Sequence, residues 1–232
     1  MIATKLEKFL GNGLYTVSEA ALYARVSTAV MIRWLFGNDR GKAVLYPQFH
    51  QEERLVTFLD LIQTLAIREI RMQRHVPLPK FRQAIKVAKE KLHLEYPFAR
   101  QHCTYLYGDE LVIRPKPDAD EFVEVSGKDR GQRLIHFVEM YLGDLTFDPS
   151  TGLVNGYQIF KSDHRRSIPI TMDPRCRFGE PLLPSGYTAM TIWEAIKAEG
   201  GIDRTAKVYG IPKDEVEASY QFVIRYLGKT AA

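Results

Sequence analysis

Residues 15–35 read YTVSEAALYARVSTAVMIRWL, and this stretch decides the fold of the N-terminal part of the chain. Ser18 predicts the start of a first helix, because its hydroxyl can accept hydrogen bonds from the free amides of the first turn. Ala20 and Ala21 are small enough for a second helix to cross closely over them. The pattern therefore predicts two short helices in contact.

The second half of the stretch predicts a turn and the second helix. Arg25 and Val26 form the turn, and Val26 can fill the angle between the helices. Ser27 is expected to cap the second helix. Apolar residues at helical spacing predict its inward face, which consists of Val30, Met31, Trp34 and Leu35.

The outward face of this second helix is the candidate DNA reader. Ser27, Thr28 and Arg33 are left outside, where they can reach a major groove. Arg33 is the expected base reader, since a guanidinium matches O6 and N7 of guanine. A helix-turn-helix also occurs as a plain packing unit, and that alternative stays open.

A small wing is expected directly after the second helix. Glycine, asparagine and aspartate at residues 37–41 favour a turn, and residues 44–46 suit a short strand that ends at Pro47. Arg40 and Lys42 would lie at the wing tip. These two residues and Arg25 are expected to contact DNA phosphates. Ser27 and Thr28 are expected to do the same. An ordinary loop is the alternative.

Charge is distributed unevenly along the 232 residues, which carry a net charge of +4. Residues 1–97 hold 15 Lys and Arg and 9 Asp and Glu, for a net charge of +6. Residues 98–232 hold 17 Lys and Arg and 19 Asp and Glu, for a net charge of −2. A basic first part suits contact with phosphates at one end of the chain only.

Composition and motifs exclude several classes of protein. The hydrophobic fraction of 45% and the charged fraction of 26% are typical of a globular protein. No apolar run approaches the ~20 residues that span a bilayer, and the N-terminus lacks a signal-peptide core, so we expect a cytoplasmic protein. Cys103 and Cys176 lack zinc-site spacing. With no catalytic motif, we expect no enzyme, metal or cofactor.

The fold class is predicted as α+β, mainly helical, in three parts. Residues 1–97 form a winged helix-turn-helix followed by helices over 54–74 and from Pro79. Residues 98–167 form a small α/β region, with a hairpin around Gly108 and Asp109, a strand near 122–125, a helix over 133–142 and paired strands at 145–147 and 157–160. Residues 168–232 form a three-helix unit.

The last unit contains a second helix-turn-helix. Its three helices are expected to begin at Thr191, Asp203 and Pro212, with Gly200 and Gly210 as breaks. The final helix is expected to expose carboxylates that DNA would repel, namely Asp214, Glu215 and Glu217. This unit therefore favours a protein contact or a purely structural role.

Two resemblances to known families follow from these residues. The stretch VSEAALYARVSTAVMIRWL is similar to the helix-turn-helix of MerR-like winged regulators, with Arg33 and Trp34 as its final pair. Arg25 stands where that family has Gly, and Val30 where it has Thr. Residues 168–232 resemble the domain of unknown function 433 in the order and spacing of Ile170, Asp173, Pro174, Phe178, Gly179, Pro181, Thr191, Gly200, Tyr209, Gly210, Ile211, Pro212 and Val216.

The combination looks like VapB-type antitoxins. The resemblance implies an antitoxin that inhibits a small PIN-like ribonuclease toxin, represses its own operator, and forms a homodimer and a hetero-oligomer with the toxin. Because such a toxin has an acidic metal pocket, a cationic side chain could enter it, and the candidates are Arg165, Arg166, Arg175 and Arg177. Ordinary surface charge is the alternative for each arginine.

Two other functions remain open at this stage. A stand-alone MerR-like regulator without a toxin would use the same DNA-binding residues. A pure interaction protein would use both helix-turn-helix units as scaffolds and would show no salt-dependent DNA binding.

Overall fold

The computed structural model describes residues 13–38, 41–47, 54–101, 104–107, 110–113, 123–124, 144–163 and 167–228. The chain forms two compact units, Met1–Asn155 and Gly156–Ala232. Helices and antiparallel strands occur in both units, which confirms the α+β prediction. The division into three parts at residues 97 and 167 stays a prediction.

The first unit begins with strand β1, Gly13–Tyr15, which pairs antiparallel with β2, Val56–Thr57. Its helices are α1 (Val17–Tyr23), α2 (Thr28–Leu35), α3 (Phe58–Arg74) and α4 (Leu78–Leu92). All four helices lie where the apolar spacing predicts them. A short 3-10 turn, Pro97–Ala99, packs against α3.

Helix α1 begins two residues earlier than predicted, because Thr16 and not Ser18 is its cap. The Thr16 hydroxyl accepts from the Glu19 amide at 3.2 Å, and the Glu19 carboxylate accepts from the Thr16 amide at 2.8 Å. This reciprocal capping box satisfies two orphan donors at once, which an isolated serine cannot do. The predicted cap of α2 is confirmed, since the Ser27 hydroxyl accepts from the Val30 amide at 3.2 Å.

Small residues allow α1 and α2 to pack closely. Ala20 and Ala21 are buried on α1, and the inward face of α2 buries Met31, Trp34 and Leu35. Val30 is only half-buried, so one residue of the predicted inward face is at its edge. The Thr64 hydroxyl of α3 contacts the Met31 sulfur at 3.8 Å, which ties α2 to the longer helix.

Arg25 ends α1 in an uncommon backbone conformation. Its φ is +52°, in the left-handed region that favours glycine. The Arg25 amide donates to the Leu22 carbonyl at 3.1 Å, and the Val26 amide donates to the Ala21 carbonyl at 3.0 Å. These two bonds form the Schellman motif that closes a helix and reverses the chain.

The predicted hairpin of the middle region is confirmed. Strands β3, Thr104–Tyr107, and β4, Glu110–Ile113, pair antiparallel, with Tyr107 opposite Glu110, and β5, Val123–Glu124, adds to β4. Strand β6, Leu145–Phe147, neighbours β7, Val154–Lys161, so the two strands are adjacent as predicted. The predicted register is wrong, because the Asp148 amide donates to the Leu153 carbonyl and closes a shorter turn, which places β6 opposite the start of β7 and not opposite residues 157–160. The helix predicted over residues 133–142 lies outside the described residues.

The second unit combines β7, which pairs antiparallel with β8 (Pro169–Met172), and three helices. The helices are α5 (Ala189–Glu199), α6 (Ile202–Tyr209) and α7 (Lys213–Gln221), the last continued by a π-helical turn, Phe222–Tyr226. The ring of Phe160 on β7 lies 5.7 Å from that of Phe222, which anchors α7 to the strands.

Two predicted caps of the second unit are wrong. Thr188 caps α5, because its hydroxyl accepts from the Thr191 amide at 3.1 Å. Gly201 precedes α6, and the Asp203 carboxylate instead pairs with Lys213 at 2.9 Å. The pair joins α6 to α7, and its hydrogen bond raises the pKa of Lys213.

Glu215 is buried, which contradicts the prediction that α7 exposes it. Its side chain does not face solvent, and its carboxylate accepts a hydrogen bond from the Ser185 amide at 2.9 Å. Asp214 and Glu217 are half-buried, and Glu217 lies 3.9 Å from Lys213. The carboxylates of α7 therefore act largely within the unit.

Arg25→Gly should raise the free energy of unfolding by about 1 kcal/mol, because glycine adopts a positive φ without the steric penalty of a side chain. Urea denaturation followed by circular dichroism measures the change. The matched control is Arg33→Gly inside α2, which should lower stability by about 1 kcal/mol. A loss of stability in Arg25→Gly would contradict this account of the turn.

Candidate functional site

Helix α2 presents an exposed face opposite the side that it buries. Ala29 and Arg33 lie one turn apart near the middle of this face, and Thr28 is exposed at its edge. Ala29 was not predicted as a site residue, although its spacing of four residues from Arg33 could have indicated it. The structure thus brings Thr28, Ala29 and Arg33 onto one surface.

The turn before α2 adds two exposed polar side chains, Arg25 and Ser27. The Ser27 hydroxyl accepts from the Val30 amide, so its own proton remains available to donate to a further group. Both residues lie beside the N-terminus of α2, where the helix dipole favours negative groups.

The segment after α2 forms a tight loop and not the predicted strand. The Trp34 carbonyl at the end of α2 accepts from the Val44 amide at 2.7 Å and from the Leu45 amide at 2.9 Å. Because these amides are used by α2, residues 44–46 do not pair with a neighbouring strand. The predicted turn is present, since Asn38 and Gly41 exchange two backbone hydrogen bonds of 3.0 Å.

Gly37 makes the close return of this loop possible. Its φ is +74°, and a Cβ atom placed on it would lie 2.9 Å from the Ala43 nitrogen. No other residue type fits this position without movement of the backbone.

Arg82 of α4 holds the loop from outside. Its Nε donates to the Ala43 carbonyl at 3.0 Å and to the Lys42 carbonyl at 3.1 Å, and its Nη2 donates to the Lys42 carbonyl at 2.8 Å. Sequence reasoning missed this role, since a contact across 40 residues leaves no local signal. The backbone beneath the exposed Lys42 side chain is therefore fixed.

The charges on this surface are open to a partner. Within the ranges that the structure describes, no acidic side chain forms an ion pair with Arg33 or Lys42. The sequence did not predict Arg54 as a site residue, although its side chain is exposed. Its guanidinium lies 5.6 Å from the ring centre of Phe36, the residue that ends α2. Arg40 lies outside the described residues.

The second unit carries the other predicted arginines. Arg175 forms a bidentate pair with Asp173, with Nε–Oδ1 and Nη2–Oδ2 distances of 2.8 and 2.6 Å. Arg177 is exposed beside Phe178, and both residues have a positive φ, of +46° and +56°. Phe178 is 78% exposed and was not predicted as a contact residue. Arg165 and Arg166 lie outside the described residues.

The part of the chain that the structure describes holds no arrangement of side chains for binding a metal ion. No group of three or more His, Cys, Asp or Glu side chains is arranged to hold a metal ion in that part of the chain. Cys176 is exposed and carries a free thiol, whereas Cys103 is not among the described residues. None of the described helices combines the length and the apolar character that crossing a membrane requires.

Comparison with known proteins gives a similarity in fold to a solved structure. No protein-family model matches the sequence, and no curated protein matches it. The chain is similar to Rv2018 from Mycobacterium tuberculosis, with 17% sequence identity and a TM-score of 0.60. The match covers 90% of this chain and 98% of that chain. Similarity at this level of identity concerns the fold alone.

Arg82→Met should release the loop after α2 while keeping the apolar stem of the side chain. Loss of hydrogen bonds to a charged donor should lower the free energy of unfolding by about 1–3 kcal/mol. Hydrogen exchange should also become faster at the amides of residues 41–45. Lys86→Met, an exposed change on the same helix, is the control. Unchanged exchange in Arg82→Met would show that the loop is held by the α2 contacts alone.

Proposed function

We propose that this protein is a cytoplasmic, DNA-binding antitoxin of a type II toxin–antitoxin pair. Its first unit would act as a helix-turn-helix, with the loop after α2 in place of a wing, and would bind the operator of its own gene as a homodimer. Its second unit would bind and inhibit a PIN-like ribonuclease toxin. The exposed face of α2, which presents Arg33 and Ala29 from a helix fixed by its buried side, is the observation that carries the proposal.

The dimensions of α2 support insertion into a major groove. A helix with its side chains is about 10–12 Å across, and the B-DNA major groove is about 12 Å wide, so α2 can lie in it. Arg33 can donate to O6 and N7 of guanine, and the Ala29 methyl group can contact a thymine methyl group. A dimer would place two such helices in half-sites about 34 Å apart.

The residues around α2 support contacts to the DNA backbone. Arg25, Ser27 and Thr28 surround the N-terminus of α2, where backbone amides and the helix dipole attract phosphate. Lys42 extends from the loop that Arg82 holds in place, and Arg40 precedes it in the sequence. Arg25 also occupies a position whose backbone favours glycine, and strained backbone of this kind concentrates at functional sites.

The exposed loop of the second unit supports a protein contact. Phe178 offers a large apolar ring to solvent, and exposed aromatic rings and arginines are enriched at the centres of interfaces. Arg177 is the better candidate for an acidic pocket, because the charge of Arg175 is already balanced by Asp173. Arg165 and Arg166 remain candidates from the sequence resemblance.

Arg33→Ala and Lys42→Ala should affect DNA binding in different ways. Arg33→Ala should cost about 1–3 kcal/mol on operator DNA and relax specificity at one base position, whereas Lys42→Ala should weaken all duplexes alike and reduce the salt slope by roughly one unit. Fluorescence anisotropy on DNA from upstream of the gene, with a scrambled duplex alongside, measures both.

Lys91→Ala is the matched control, since it removes an exposed charge at the far end of α4. It should leave affinity and specificity nearly unchanged. If Arg33→Ala weakened binding to operator and scrambled DNA equally, Arg33 would not read a base.

Phe178→Ala should weaken the complex with the toxin by at least tenfold, which corresponds to about 1.4 kcal/mol. Arg177→Ala should cost more than Arg175→Ala, because Arg175 already pairs within its own loop. Co-purification with the protein encoded by the neighbouring small open reading frame, followed by titration, measures the loss. A neighbour that neither binds nor is toxic would favour a stand-alone MerR-like regulator.

A further inference from the structure

A cleft of about 330 Å³ opens in the first unit where α4 ends. The helix ends at His93, which has a φ of +52°, and the Leu94 amide donates to the Ala88 carbonyl at 2.9 Å, so the chain turns back beside α4. None of the residues proposed to contact DNA or a toxin lines this cleft. Its walls are formed by Leu45, Tyr46, Pro47, Gln63, Ile85, Lys89, Leu94, Glu95, Tyr96 and Pro97.

Two opposite charges line the cleft without neutralising each other. Lys89 lies in the last turn of α4, and Glu95 follows the turn of the chain. Among the residues that the structure describes, neither side chain forms an ion pair with the other or with a third residue. The cleft therefore offers one cation and one anion to a ligand.

Arg100 holds the backbone that carries the anion. Its Nε donates to the Glu95 carbonyl at 2.9 Å, and its Nη1 donates to the Thr151 carbonyl at 2.7 Å. Helix α4 provides the backbone of Lys89. Both charges thus extend from backbone that hydrogen bonds fix in place.

The other walls combine polar and apolar side chains. Burial, together with the negative charges of Asp60 and Glu95, raises the pKa of Tyr96 to about 12, so this hydroxyl is neutral at physiological pH and adds no charge. The apolar part of the lining consists of Leu45, Pro47, Ile85, Leu94 and Pro97. A ligand that matches the cleft therefore needs two opposite charges and a small apolar group.

We propose that this cleft binds a small zwitterion, namely an α-amino acid with an aliphatic side chain. The Lys89 ammonium binds the carboxylate of the ligand, the Glu95 carboxylate binds its ammonium, and the apolar walls contact its side chain. A ligand with only one charge is attracted by one of these residues and repelled by the other. The volume lies at the lower end of the range for small-molecule sites, which suits a ligand of this size.

Three probes that differ mainly in charge test the proposal. Leucine carries both charges, N-acetylleucine lacks the ammonium, and leucinamide lacks the carboxylate. Lys89 and Glu95 are exposed, so screening by water limits each ion pair, and leucine should bind at least about threefold tighter than either analogue. Titration of the full-length protein followed by amide chemical shifts measures the affinities. The shifts should cluster at residues 45–47, 85–89 and 94–97.

Variants without the charges then assign each contact. Lys89→Met should remove the preference for leucine over leucinamide, because the carboxylate no longer meets a cation. Glu95→Gln should remove the preference over N-acetylleucine. Lys86→Met, an exposed change on the same helix but outside the cleft, should keep both preferences. All three variants change exposed side chains, so the test does not depend on repacking of the core.

Several results would overturn the proposal. Equal affinity of the three probes for the unchanged protein would mean that the two charges play no part in binding. Absence of binding up to the solubility of leucine, or shifts confined to another region, would equally exclude the site. Preferences that survive in both Lys89→Met and Glu95→Gln would place the binding site elsewhere.

Discussion

The close packing of α1 against α2 is the contact on which the rest of the first unit depends. Ala20 and Ala21 leave room for Met31, Trp34 and Leu35, so one side of an eight-residue helix is buried and the other must face outward. A helix of this length is not stable alone in water, and tertiary packing supplies its stability. The burial of one side of α2 therefore determines which of its residues face solvent.

Hydrogen bonds also fix the backbone that carries the charged residues next to α2. The Trp34 carbonyl fixes the loop after α2 from one side, and Arg82 fixes it from the other, so Lys42 is presented from a rigid base. The two units differ in how they use charge. Arg33 and Lys42 point to solvent without acidic partners in the described part of the chain, whereas Glu215 is buried within the second unit. The cations of the first unit support the proposal of DNA contact there, whereas the burial of Glu215 removes one of the carboxylates that were expected to repel DNA from the second unit.

Sequence reasoning predicted the elements better than their polar contacts. Apolar spacing located the helices of both units within a few residues, because burial of one face determines them, but it did not predict β1 or β2. It missed the Thr16 cap, where a capping box outcompetes a single serine. It also assigned a strand to residues 44–46, although the Val44 and Leu45 amides donate to the Trp34 carbonyl. The roles of Arg82 and Glu215 arise from contacts with residues distant in sequence, which local patterns do not encode. Phe178 is exposed in a segment with positive φ, whereas its aromatic character alone predicts burial.

The most direct test of DNA contact by α2 is site-specific photo-crosslinking of the full-length protein. Benzoylphenylalanine would replace Ala29 on α2 or, as the matched control, Ala198, an exposed alanine on α5 of the second unit. Each protein would be irradiated with DNA from upstream of its own gene. Our account predicts a covalent adduct from position 29 and none from position 198. Binding of this DNA with a crosslink from position 198 alone, or no binding at all, would contradict it.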